Sequence, residues 1–182
     1  MELFPNQYYH IYNRSNNNEI VFREDENYRY FLQKFWHYFG NDLETIAYCL
    51  MPTHFHFLVF VKSESVDSMK KNFGILLSSY TKAINKHYKR HGNLFQSLTR
   101  SRWIDDDGYL MTILAYIHQN PLRSGLVARL EDWEYSSYRD YIGTRRELLV
   151  KKDYVTRLFT SLEDFQQFSE TLLPSVERRY WV

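Results

Sequence analysis

Apolar and polar positions along the chain switch between two spacings, and the switches mark the elements. "QYYHIYNRS" is rich in aromatic and β-branched residues and runs into the polar "NRSNNN", which predicts a strand and then a loop. "DENYRYFLQKFWHYF" carries apolar residues near helical spacing and predicts a helix stopping at Gly40. "ETIAYCLM" and "HFHFLVFV" read as two strands separated by "PT", a hairpin. A long amphipathic helix follows in "SESVDSMKKNFGILLSSYTKAINKHYKRHG". There Met69, Phe73, Leu76, Tyr80, Ile84 and Tyr88 recur at steps of three or four, Ser65 is placed to cap the start, and Gly92 follows the end. "NLFQSLTRSRWI" reads as a further strand. In "DDDGYLMTILAYIHQNP" the acids stand at a helix N-terminus, where the dipole favours them. Pro121 disfavours helical geometry at Asn120, so this helix is expected to end near there.

The resulting order is β-α-β-β-α-β and then a helix. That is the ferredoxin-like split βαβ arrangement, an α+β fold with an antiparallel sheet and helices on one face. After Gly143 one or two short helices are expected to close over the domain. The expected organisation is a main domain over 1–142 and a helical extension over 143–182 packed on it, in keeping with the 182 residues of the chain. No internal repeat or low-complexity segment interrupts it.

Composition narrows the picture. An apolar content of 44% and a charged content of 25% belong to a globular chain, not a disordered one. Aromatics reach 18%, enough to suggest stacking surfaces as well as a core. No apolar stretch approaches the roughly 18 residues that span a bilayer. "MELFPNQYYHIYNRS" lacks the basic flank and apolar run of a secretory signal. The single Cys49 excludes an intramolecular disulfide framework and a multi-cysteine zinc site. A cytoplasmic protein with no membrane partner is the expectation. Net charge is only +1, but its distribution is uneven. Between Met69 and Ile104 stand eight basic residues (Lys70, Lys71, Lys82, Lys86, Lys89, Arg90, Arg100, Arg102) and no Asp or Glu. Such a run can be a solvated helix face; the lack of any acid over 36 residues favours a footprint for phosphates.

The candidate chemistry begins at "MPTHFHFLVF". Residues i and i+2 of a strand share a face, so His54 and His56 project together while Phe55 and Phe57 point the other way. Two neutral imidazoles so placed can hold one divalent cation. The same spacing also arises where two strand histidines are bonded to neighbours or water. A third ligand has to come from an adjacent element. In the helix Asp107–Asn120 the apolar stripe is Leu110, Ile113, Leu114 and Ile117. Tyr109, Tyr116 and Asn120 fall along one border of it, and Tyr116 and Asn120 are i, i+4 neighbours. His118 falls near the opposite border. Tyr116 is one of 16 tyrosines, most of which must be packing residues. A phenol beside a His-x-His metal nevertheless suits one reaction. The phenol, with a pKa near 10, is a poor nucleophile unaided. A cation on the non-bridging oxygens of a phosphodiester makes phosphorus easier to attack. The phosphotyrosine product keeps much of the ester's free energy, so a strand end can reverse the step without ATP.

Taken in order, "YYHIYNRS", "AYCLMPTHFHFLV", "GNLFQSLTRSRW", "YLMTILAYIHQNPLRSGLV" and "WEYSSYRDYIG" resemble the blocks of the REP-associated tyrosine transposases, members of the single-tyrosine HUH (His-hydrophobe-His) transposases. The resemblance runs from about Tyr8 to Gly143 and more loosely to the end. It implies a ferredoxin-like core with a catalytic helix, His54, His56 and Asn120 as metal ligands, and Tyr116 as nucleophile. Gln stands at the Asn120 place in the related insertion-sequence transposases, so Asn favours the REP-associated branch. The implied substrate is single-stranded DNA folded into an imperfect hairpin with a tetranucleotide at its foot. The implied chemistry is cleavage and rejoining through a 5′-phosphotyrosine with Mg²⁺ or Mn²⁺, by a monomer or homodimer. Arg14 matches a family arginine implied to contact DNA or phosphate; a surface salt bridge is its alternative. Lys82, Lys86, Lys89 and Arg90 are candidate DNA contacts by charge. Ser97, Leu98 and Thr99 depart from the family, which carries a glycine and a basic-aromatic pair after "FQ"; Arg100 and Arg102 follow as candidate contacts.

Three other readings stay open at this point. A domesticated relative would grip hairpin DNA without cutting. An RNA-binding domain would need aromatic strand motifs that no stretch here matches. Metal-assisted hydrolysis without a covalent step would need a carboxylate base, and none stands out.

Overall fold

The computed structural model describes residues 1–64, 66–145 and 150–173. Strand β1 (Tyr8–Arg14) leads into helix α1 (Asp25–Phe39), strands β2 (Leu43–Met51) and β3 (His54–Val61), helix α2 (Val66–His87), strand β4 (Arg100–Ile104) and helix α3 (Asp107–Arg123). The short helices α4 (Tyr138–Tyr141) and α5 (Asp153–Thr156) and the helix α6 (Leu162–Glu170) complete it. The sheet is antiparallel with order β2-β3-β1-β4, as the ferredoxin-like reading requires. Ser65, expected to cap α2, lies outside the described residues, as do parts of the expected extension over 143–182.

Alternation sorts the strand residues onto two faces. Tyr9, Ile11, Phe55, Phe57 and Val59 meet Phe31, Phe35 and Phe39 of α1 and Met69, Phe73 and Leu76 of α2. Phe35 stacks on Phe57 with ring centroids 3.9 Å apart. Cys49, Met51, Leu58 and Ile104 on the other face meet Leu110, Ile113, Leu114 and Ile117 of α3. The expected stripe of α3 therefore does lie on the sheet, opposite α1 and α2. In β2, a bulge between Thr45 and Ala47 turns Ile46 and Ala47 to the same side. Beyond Gly143, Val155 and Phe165 join the α3 side of the core. Burying each such side chain contributes about 1.5–3 kcal/mol.

Three boundaries differ from expectation. Helix α3 does not stop near Asn120 but continues through Pro121 to Arg123. Pro121 sits in the last turn, so the one bond it cannot donate, to the Ile117 carbonyl, is lost near the helix end and not in its middle. Bonds from Ser124 N to Asn120 O and from Leu126 N to Pro121 O, both 3.0 Å, close the helix end. Burial of every residue from Ile113 to Pro121 holds the segment helical. Strand β4 starts at Arg100 and not at Asn93. Leu94 and Phe95 are drawn into the core on the α1 and α2 side. The loop after them is tied to β1 through Asn13 Nδ2, which donates to Gln96 O and Thr99 Oγ1 at 3.1 Å. Helix α2 ends at His87, and the chain turns with positive φ at Lys89 (51°) before Gly92 (87°). No helix among the described residues is long and apolar enough to cross a membrane.

Candidate active site

The site is built on the α3 face of the sheet, from β1, β3 and α3. Each strand residue that faces α3 follows from register: Tyr12 opposes His56, and Arg14 opposes His54. Tyr116 packs edge-on against His56 (ring centroids 5.6 Å) and His10 (6.2 Å) and is only 8% exposed. His54 and His56 stand nearly perpendicular, 5.1 Å between centroids. One turn beyond Tyr116, the Asn120 Nδ2 donates to the Tyr116 backbone carbonyl at 2.9 Å. The Asn120 carboxamide also lies close enough to the His54 imidazole and the Tyr116 phenol to shift the pKa of both. The four residues singled out by spacing, His54, His56, Tyr116 and Asn120, thus come together.

Burial sets the electrostatics. It lowers the pKa of His54 to about 4, against the Asn120 carboxamide oxygen, which favours the protonated ring and raises it; the Arg14 charge lowers it further. Burial also holds His56 well below the usual imidazole range, helped by neighbouring His54 and His10. Both rings are therefore neutral at pH 7, with lone pairs available to a cation. Burial raises the Tyr116 phenol above its ordinary 10.0, while Asn120 and the Arg123 guanidinium pull it back. A phenol so placed is protonated at rest, and the two lowering influences favour the phenolate.

The side chains present fit a hard divalent cation. His56 Nε2 is buried and has no hydrogen-bond partner among the described residues. His54 Nδ1 is bonded to Thr53 Oγ1 at 3.0 Å, which leaves Nε2 as its ligating atom. No group of three or more His, Cys, Asp or Glu that could hold a metal gathers among the described residues, and the oxygen donor that α3 brings beside the two histidines is the Asn120 carboxamide. The Asn120 oxygen is of the type that Mg²⁺ and Mn²⁺ accept.

The basic residues divide. Arg14, Arg100 and Arg102 lie on the site's face of the sheet, and Arg14, Tyr12 and Arg100 line one small cavity. Arg14 also donates to Asn18 Oδ1 at 2.6 Å. Lys82, Lys86 and Lys89 are exposed along α2 and just past its end. Arg90 is engaged with Glu19 through two contacts of 2.8 Å. His118, the poorer ligand candidate by spacing, is fully buried and bonded to Ser137 Oγ at 2.9 Å. Sequence reasoning missed two neighbours. Arg123 lies seven residues, two helical turns, beyond Tyr116, a spacing open to inspection. His10 shares its strand face with Tyr8 and Tyr12, but only the β1–β3 register places it beside His56.

No protein-family model matches the chain. A curated protein of Haemophilus influenzae described as a REP-associated tyrosine transposase is 30% identical in an alignment 104 residues long that covers 52% of this chain and 58% of that protein. The chain thus spans a little over half the length of this curated relative. A solved structure of a REP-associated tyrosine transposase bound to a REP hairpin matches with a TM-score of 0.65 at 17% identity, over 85% of this chain and 91% of that one. At that identity the likeness is one of fold.

Proposed function

We infer that this chain, whose assignment to the REP-associated tyrosine transposases is supported by its Haemophilus influenzae relative and by its fold, is a metal-dependent single-stranded DNA endonuclease and strand transferase acting on hairpins. The observation that carries the reading is the convergence of Tyr116 and Asn120 on the two neutral histidines, one with an unpartnered, buried Nε2.

Tyr116 Oη attacks the phosphorus and loses its proton to water. The bond from phosphorus to the 3′ oxygen breaks, and that oxygen takes up a proton and departs as a 3′-OH. The 5′ phosphate remains on Tyr116 as a phosphotyrosine, which another 3′-OH can attack to rejoin a strand. His54, His56 and Asn120 would hold the Mg²⁺ or Mn²⁺. When bound, the cation offsets charge on the non-bridging oxygens as the transition state forms. Arg123 and Asn120 favour the phenolate at the moment of attack, and Arg14, beside His54, stands where a phosphate would lie. Arg100 and Arg102 extend the same face. Lys82, Lys86 and Lys89 are proposed backbone contacts on α2, and Arg90 shares that role only if DNA displaces Glu19.

The test is incubation with Mn²⁺ and labelled hairpins from the flanks of the chain's own gene, resolved on a denaturing gel. The wild type forms a covalent adduct; Tyr116→Phe binds hairpins and forms none. An adduct that persists in the variant would overturn the assignment. Tight hairpin binding without nicking under any divalent cation would mark the protein as a non-cleaving binder instead.

A further inference from the structure

His10 is fully buried in the middle of β1. Its Nε2 lies 2.9 Å from His56 Nδ1, and the two rings stack with centroids 5.1 Å apart. The outer nitrogens, His56 Nε2 and His10 Nδ1, are buried without a partner among the described residues. We propose that His10 is a positioning residue: it accepts a hydrogen bond from His56 Nδ1–H and so holds the His56 ring with a bare Nε2 lone pair turned to the cation site. The proposal rests on the reading of His54, His56 and Asn120 as metal ligands.

Proton placement decides which nitrogen of His56 can ligate. Two neutral imidazoles joined through one N···N contact share a single hydrogen there. If His10 donated it, His56 would carry its own hydrogen on Nε2 and could not ligate. If His56 donates, Nε2 is bare and His10 keeps its hydrogen on Nδ1. Only the second arrangement suits a metal ligand. A ligating histidine typically has its other nitrogen fixed by such a neighbour, and losing the neighbour costs about 10–100-fold in metal affinity. The same logic holds at the other ligand, where Thr53 Oγ1 takes the Nδ1 side of His54. Thr53 is adjacent in sequence, whereas His10 reaches His56 across 46 residues through the β1–β3 register. Tyr12 and Tyr116 pack around the pair at 4.8 Å and 6.2 Å from the His10 ring.

The test pairs a tautomer measurement with metal titration. In wild-type protein at pH 7, ¹⁵N shifts of the histidine rings are expected to show His56 protonated on Nδ1 and bare on Nε2. The opposite tautomer, persisting when Mg²⁺ is added, would overturn the proposal without any variant. Mn²⁺ affinity, read by calorimetry, is expected to fall about 10–100-fold in His10→Phe. His10→Gln, whose side-chain oxygen can accept the same hydrogen bond, is expected to retain most of it. Equal Mn²⁺ affinity in wild type and a folded His10→Phe would overturn the role of His10 alone. A wild type that binds no Mn²⁺ would instead overturn the metal-site reading on which it rests.

Discussion

The two faces of the sheet are made from the same strands and have opposite chemistry. Against α1 and α2 the sheet presents Phe55, Phe57, Tyr9 and Ile11 to a layer of phenylalanines. Against α3 it presents His10 and His56, and α3 itself buries His118, Gln119 and Asn120. The first face gains stability from apolar burial and holds no titratable imidazole. The second gives up some of that gain to keep polar groups dry, neutral and fixed in place. Stability and chemistry are thereby separated by the thickness of one strand, and a step of one residue along β3, from Phe55 to His56, crosses from one to the other.

Substitutions on the two faces should therefore fail in different assays. His54→Ala is expected to lower adduct formation about 10³-fold or more, because a cation contributes several kcal/mol at the transition state. His54 is only part-buried, so the melting midpoint should barely move. If adduct formation survives His54→Ala with Mn²⁺ present, the metal reading is wrong. Phe57→Ala, on the other face, should cost about 3–5 kcal/mol in urea unfolding through lost burial and the cavity beside Phe35. The folded fraction should keep wild-type Mn²⁺ affinity, and a large loss of affinity would break the separation of the faces.

Acidification should act through the chemical face. His10 and His118 are held near 3 by burial, while an unfolded imidazole titrates near 6.5. The unfolded state binds protons first as pH falls, so stability is lost between about pH 6.5 and 3. At pH 5 each buried histidine is expected to cost about 2 kcal/mol relative to pH 7, measured by urea titration at both values. Adduct formation should rise with pH above neutrality, since Tyr116 must lose a proton that burial makes it keep. A flat stability profile from pH 7 to 5 would show that these rings are not held neutral.

The smallest expected effects concern the DNA path. Arg100→Ala, on the active face, and Lys86→Ala, on α2, are each expected to lower the slope of log affinity against log salt by about 0.7–0.9, the release from one phosphate. An unchanged slope in Lys86→Ala would confine the DNA to the α3 face.

Much of this was legible because the informative periods are short and local. The i, i+2 spacing placed His54 and His56 together, and the i, i+4 spacing did the same for Tyr116 and Asn120. Where tertiary packing overrode local preference, sequence fell short. Burial on both sides carried α3 past Pro121, and capture of Leu94 and Phe95 by the core delayed β4 to Arg100. His10 was invisible for a different reason: its partner is set by strand register, which periodicity does not report. Arg123 was overlooked although its two-turn offset from Tyr116 could have been counted.

The central claim is that the Tyr116 oxygen faces a phosphate held at the paired histidines. Protein incubated with Mn²⁺ and a hairpin bearing a single-stranded flank, then digested and analysed by mass spectrometry, tests it directly. The account predicts a nucleotide 5′-phosphate on the peptide carrying Tyr116. Nicked DNA with the nucleotide on another tyrosine, or on no residue at all, would contradict it.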